Sequence, residues 1–431
     1  MNFRYSSPVT HYALHLTRLP SLVTRVICAL FLSLLPVVSL AGSLAVAAAP
    51  VGYSVTDLGT LGGTFSWPLA INDRGQVVGQ ATLPGDTAAH AFLWQNGVMT
   101  DLGTLGGPNS IASSIDDAGQ IVGGADTTDP NGDYFCLSPS ICHGFLWQKG
   151  VMADLGGLAG RSSLATWLNN RQRMVGASEL EQLDPTGYPA YHAFVRQRGV
   201  VTDLGTLGGP NSYASAINAS GQVTGEADLN WDIDPILGIP DFHAVVWQNG
   251  AVTDLGTLGG TFSESNAIND RGEVVGYSFL PGNVDIHAFL WQDGAMQDLG
   301  TVAGDSDSVA KFVSTGGQVL GGSGTLSSAV HAFLWQNGRM TDLNTLISSA
   351  SGWQLQVADG INARGQIIGQ GLVDGQYHGF LLTPASAADS GLASLSSSRA
   401  PAPTRPTTLT EAERSQLRNW WKSGLDRQRA L

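Results

Sequence analysis

Three short signatures recur seven times in a fixed order along this chain, and no other feature narrows the possible folds as sharply. The first is His-Ala-Phe, beginning at His90, His192, His287 and His331, with His-Gly-Phe at His143 and His378 and His-Ala-Val at His243. The second is DLGTLGG, starting at Asp57, Asp101, Asp203 and Asp254 and degenerating at Asp154, Asp298 and Asp342. The third, of the form INDRGQVVG, starts at Ile71, Ile115, Leu168, Ile217, Ile268, Val313 and Ile361. Where nothing is inserted the period is 44 residues, as from His243 to His287 and on to His331.

Each unit reads as four short strands. In the first unit, Ser66–Asn72 is strand A, Asp73-Arg74-Gly75 a turn, Gln76–Ala81 strand B, His90–Gln95 strand C and Val98–Leu102 strand D. Asn96-Gly97 between C and D is a strong two-residue hairpin signal, and it returns at Asn249-Gly250 and Asn337-Gly338. Four strands in roughly 40–45 residues is the size of a propeller blade. A parallel β-helix would need shorter rungs, and the repeats carry no helical period. The first element, from Tyr53, is a strand D with no A, B or C before it, and the last unit stops at a strand C, His378–Pro384. The expected fold is therefore an all-β, seven-bladed β-propeller over 53–384, closed by the N-terminal strand so that no sheet edge is left at the seam. Glycine makes up 55 of 431 residues, and this reading places it mostly in turns and returns.

The strings HAFLWQNG, TDLGTLGG and AINDRGQVVG resemble those of the HAF family of extracellular repeat proteins. The likeness spans all seven units, with units three (RSSLATWLNNRQRMVG) and six (KFVSTGGQVLGG) departing most. It implies an exported bacterial repeat protein and supplies no catalytic residues to carry over.

The flanks agree with export. Residues 1–47 have Arg4, Arg18 and Arg25, no acid, an apolar stretch from Val26 and an Ala45-Val46-Ala47 cleavage pattern, the layout of a signal peptide. An uncleaved membrane anchor is the alternative reading; with the signal removed, no other run could span a membrane. The expected location is secreted, periplasmic or cell-surface. Cleavage would leave Cys136 and Cys142, read as a local disulfide in an oxidising compartment. After Pro384 the composition shifts to Ala, Ser, Pro and Thr, a linker over 385–409. Thr410 and Glu413 then form a capping box opening an amphipathic helix over 410–431. That helix could dock on its own propeller, on a partner or on a membrane surface. Residues 48–384 hold 11 Lys/Arg against 31 Asp/Glu, and residues 385–431 hold 7 against 4. So acidic a ring argues against a nucleic-acid binder.

A side chain repeated in every blade is expected to be architectural: the repeat histidines to order each blade, against the Asp of DLG or a neighbouring loop, and the strand C tryptophans to pack between blades. Function is expected where symmetry breaks. The B–C connections of units two to four carry the insertions ADTTDPNGDYFCLSPSIC, SELEQLDPTGYPAY and ADLNWDIDPILGIPDF, on one face over adjacent blades. Their aromatics Tyr134, Tyr188, Tyr191, Trp231 and Phe242, with Asp184, Asp232 and Asp234, suit a glycan, a peptide or a cationic ligand. Asp129, Asn131 and Asp133 have the alternating oxygen spacing of a calcium loop without its downstream Glu; no other cofactor is expected. Trp67 and Trp353, with Asn109, Arg161, Asn211, Glu264 and Asp305, are placed at the mouth of the central channel. Asp305 and Asp307 beside Glu264 are candidate paired acids for a polysaccharide hydrolase or lyase. No GxSxG elbow, Walker loop, HExxH or dinucleotide fingerprint is present. The leading expectation is a non-enzymatic binding propeller; the alternatives are that polysaccharide-active enzyme and a purely structural surface protein.

Overall fold

The computed structural model describes residues 52–130, 140–157, 161–234, 238–325 and 328–385. They form seven four-stranded antiparallel sheets in a ring, as the repeats predict. In the first blade, strand A is Ser66–Ile71, B is Val77–Thr82, C is Ala89–Gln95 and D is Val98–Asp101. Strands A of successive blades touch one another all the way round, whereas each strand D packs on the C of its own blade; A is thus innermost and D outermost. The divergent units keep the pattern, with Ser163–Leu168 on Arg173–Leu183 in blade 3 and Asp307–Val313 on Val319–Thr325 in blade 6. Closure is as expected: Tyr53–Asp57 pairs with Gln376–Pro384 and supplies strand D of blade 7. Among the described residues no helix is long and apolar enough to cross a membrane. The linker, the C-terminal helix and the export segment lie outside the described residues.

Each C–D hairpin turns through two residues of positive φ, as at Asn96 (52°) and Gly97 (82°), which matches the right-handed twist of the strands it joins. The buried filling comes from the HAF and INDRGQVVG signatures. Phe92, Phe145, Phe289, Phe333 and Phe380 are fully buried. Trp247 of blade 4 packs with Val175 and Ala193 of blade 3, and Trp94 of blade 1 with Ile368 and Leu381 of blade 7, the inter-blade packing expected of the strand C tryptophans.

The asparagine of IND bonds one blade to the next. Its side-chain oxygen accepts backbone N–H groups of its own turn, as Asn72 does from Gln76 at 3.0 Å. Its amide donates to the matching carbonyl of the following blade: Asn72 to Asp116, Asn169 to Asn218, Asn218 to Asn269, Asn269 to Ser314 and Asn362 to Asn72.

The repeat histidines have the role expected of them, with one departure. Nδ1 of His90, His143, His192, His243, His287 and His378 lies 2.8–2.9 Å from Asp101, Asp154, Asp203, Asp254, Asp298 and Asp57 respectively. Each of these aspartates also accepts the N–H of the glycine two residues on, as Asp101 does from Gly103 at 2.7 Å. In blade 6, His331 instead meets Asp305 at 2.9 Å. There Asp342 caps a 3-10 turn over Leu343–Leu346, accepting from Asn344.

Every strand A carries a β-bulge at one position, where the register to strand B skips Leu69, Ser113, Thr166, Ser215, Asn266, Lys311 and Asp359 in turn. Bulges bend and twist a strand, and here they fall on the strands around the axis. Three of the bulged side chains reach across to the next blade: Thr166 donates to the Ala214 carbonyl, Asn266 donates to that of Ala310, and Asp359 accepts from the Trp67 indole.

Candidate functional site

The insertions in blades 3 and 4 lengthen strands B and C into hairpins that outrun the other blades. In blade 3 these are Arg173–Leu183 and Pro189–Gln197, and in blade 4 Val223–Ile233 and Pro240–Gln248. Pairing is interrupted after Glu179 and after Asp228, then resumes as Leu183 opposite Pro189 and Ile233 opposite Pro240. A root belonging to the blade thus carries a separate tip. In blade 2, residues 131–139 lie outside the described residues, and Asn131, Asp133, Tyr134 and Cys136 with them. Asp129 is described and sits 3.9 Å from the exposed Arg161 guanidinium; Cys142 begins strand C and is fully buried.

At the two described tips, large apolar side chains stand in solvent: Leu183 (57% exposed), Tyr188 (48%), Trp231 (44%) and Ile233 (38%). Asp184 explains how Tyr188 is presented. Its carboxylate accepts Thr186 N–H at 2.8 Å, Thr186 Oγ1 and Tyr188 N–H at 3.2 Å, building the turn from below while itself buried. Asp232 is exposed and Asp234 partly so beside Trp231. Beneath them, Asp228 is buried and accepts both the backbone and side-chain N–H of Asn211, at 3.1 and 2.8 Å. Burial pushes Asp228 up to about 8, with Asp184 and Asp241 adding to the rise. Desolvation, then Asp234 and Asp232, also raise Asp241. Asp228 thus lies in the field of Asp184 and Asp241, and Asp241 in that of Asp234 and Asp232, so that five aspartates of two hairpins gather under an apolar rim and Asp228 keeps its proton at neutral pH.

The structure sorts the sequence-derived candidates. Tyr188 stands at the tip of the blade 3 hairpin, where Asp184 builds its turn, and Trp231, Asp232 and Asp234 stand at the tip of the blade 4 hairpin. Phe242 is 3% exposed and packs at 5.1 Å on Phe262: it belongs to the core, because it faces blade 5 across the hairpin root. Tyr191 is half-buried, its N–H donating to Asn211. Trp67 lies on innermost strand A with Nε1 3.2 Å from Asp359, a carboxyl that burial raises to about 7. Trp353 stands edge-on to Phe380 at 6.1 Å.

The acid pairing at the channel is not the expected one. Asp305 is engaged by His331, and Asp307 accepts the N–H of Ile286 at 3.0 Å. Glu264 instead faces Glu226 of blade 4 and accepts from the Tyr277 hydroxyl. Glu226 was missed because in sequence it is one more acid after a strand B glycine. Leu183 and Ile233 were missed as well, although Trp231 and Ile233 two residues apart on a strand signal one shared face. Among the described residues no group of three or more His, Cys, Asp or Glu side chains is arranged to hold a metal ion.

No family model and no curated protein matches the sequence. Solved structures that resemble the fold include an oligogalacturonate lyase in complex with manganese (12% identity, TM-score 0.46, 79% of this chain and 98% of that one). A second is the β-propeller domain of the Trilobed protease from Pyrococcus furiosus (10% identity, TM-score 0.39, 64% and 81%). A third is a gluconolactonase from Xanthomonas campestris (13% identity, TM-score 0.33, 78% and 96%). Likenesses this distant are likenesses of fold alone.

Proposed function

We propose that this propeller is a binding platform whose contact surface is the paired hairpins of blades 3 and 4, and that its partner is an extracellular protein segment combining basic and apolar side chains. The observation that carries this reading is the exposure of Leu183, Tyr188, Trp231 and Ile233 together, on adjacent hairpins, above a bed of aspartates. Aromatic anchors in an apolar centre dominate protein interfaces. Sugar rings stack on aromatic faces but gain little from exposed Leu and Ile, so a glycan is the weaker candidate. Complementary charge on the partner would speed and orient its approach.

The same reading sets the protein outside the cytoplasm as an exported HAF-type repeat protein, with residues 1–47 as its signal and Cys136 paired with Cys142 across the blade 2 insertion.

The test is a binding screen of the secreted protein against basic-apolar peptides and against glycans. Trp231→Ala with Tyr188→Ala should weaken a peptide hit by about 30-fold or more while the melting temperature stays unchanged, because both side chains are exposed. Peptide binding that survives the double substitution would sink the proposal, and so would a glycan-only hit.

A further inference from the structure

Blades 1 and 7 show how a seam between neighbours is closed one layer below the long-hairpin face. Gln80 lies on strand B opposite Trp67, and its amide donates to the Ser110 carbonyl of blade 2 at 3.5 Å. Gln370, opposite Val357, donates to the Ser66 carbonyl of blade 1 at 3.2 Å. In blade 4 the same place, opposite Tyr213, is taken by Glu226, and the corresponding serine of blade 5 is Ser263, which opens its strand A. A carboxylate has no proton to give a carbonyl; a carboxylic acid has one. Glu226 is 6% exposed, and its Oε2 makes no hydrogen bond within the protein. Across the seam stands a second acid, Glu264, 5% exposed, which accepts from the Tyr277 hydroxyl.

We propose that Glu226 is a proton-operated latch between blades 4 and 5: protonated, it closes the seam as Gln80 and Gln370 close theirs, and ionised, it sets two buried carboxylates against each other at the root of the blade 4 hairpin. The groups that face it are Tyr213 on strand A of its own blade, Asp228 further along its own strand, and Glu264 and Tyr277 of blade 5. Ala244 lies opposite on strand C. None of these is a cation, and among the described residues those that shift Glu226 all disfavour its charged form. Burial, then Glu264, then Asp228 push the Glu226 carboxyl well above the ordinary range. The sign follows from linkage. A group whose pKa is higher folded than unfolded stabilises the fold fully below its unfolded value, and that stabilisation drains away as pH rises toward the folded value. The latch is therefore shut in acid and strained in alkali.

Glu226→Gln makes blade 4 resemble blades 1 and 7. The variant should melt with the wild type near about pH 5 and about 3–6 °C above it near about pH 9. Asp359 of blade 7, whose neighbours are Lys311 and Trp67, titrates equally in both proteins and cancels from the difference between them, which therefore reads Glu226 with the acids coupled to it. A difference that stays constant with pH would overturn the latch. Infrared difference spectra give a second reading that uses the folded wild type directly: the wild type minus Glu226→Gln difference at neutral pH should hold the carbonyl stretch of one protonated carboxylic acid, beyond the bands that Asp228 and Asp359 give in both proteins. A difference spectrum without that extra stretch would equally overturn the proposal. Neither measurement involves the partner proposed above, so either idea can fail without the other.

Discussion

Replacing Gly225 by alanine is expected to cost this propeller more stability than any other single methyl group added to it. Gly225 lies on strand B of blade 4 opposite Ala214, immediately before the bulge at Ser215. A Cβ built there would overlap the Tyr213 carbonyl oxygen and crowd the Ala214 Cα. The same collision with a strand A carbonyl awaits Gly79, Gly123, Gly176, Gly276, Gly321 and Gly369, the glycines that close the INDRGQVVG signature in each blade. None of the seven has positive φ, so conformational freedom is not what they provide. The bulge presses a strand A carbonyl onto strand B, and only a residue without a side chain leaves room. Relief would need the innermost strands of a closed ring to part, and overpacking a rigid interior costs about 1–3 kcal/mol even where side chains can yield. Here the obstacle is backbone, so about 4 kcal/mol or more is expected, seen as a lower midpoint in urea or as insoluble protein. Gly375→Asn is the matched control. Its φ of 78° is one asparagine tolerates, and no atom lies within 4 Å of a Cβ there. A Gly225→Ala protein that unfolds at the wild-type midpoint would remove the steric account of the signature.

Those glycines mark the limit of what the sequence discloses. Blade number, strand order, closure by the first strand and the histidine–aspartate pairs were all readable, since each leaves a periodic residue behind. The bulge was not. The residue it displaces is Leu, Ser, Thr, Ser, Asn, Lys or Asp by turns, so its only trace is the glycine opposite, which a sequence reading assigns to turns or flexibility. The candidate surface was legible as three long insertions rich in acids and aromatics. What separated Trp231 from Phe242 was not. Both are aromatic residues of one insertion, and which is exposed depends on where pairing breaks after Asp228. The partner of Glu264 escaped for a related reason: spacing pointed to acids nearby in sequence, whereas the seam brings in Glu226 from another blade.

The second large effect concerns the seam where the first strand closes the ring. Compared with a chain beginning at Gly52, a chain beginning at Leu58 should lose at least about 3 kcal/mol of stability. The five residues between them, Tyr53–Asp57, are all of strand D in blade 7, paired in register from Tyr53 opposite Pro384 to Asp57 opposite Phe380. Tyr53 and Val55 pack against a core that holds Phe380, Leu382 and Leu343, joining the first strand to blades 6 and 7 at once. Asp57 is also the partner of His378 and the cap of Gly59. Removing the strand takes away that packing and leaves Gln376–Pro384 as an open edge, the kind of surface that recruits strands from other molecules. Two readouts follow. Amide exchange should accelerate along Gln376–Pro384 first, because those groups lose their partners directly, and size-exclusion profiles should become concentration-dependent as edges pair between chains. Equal midpoints for the two chains would mean that three strands suffice for blade 7 and that the first strand is an ornament of the ring. The pairing register and the shared core argue for the opposite: residues more than three hundred positions apart in sequence form one sheet, and the ring holds because they do.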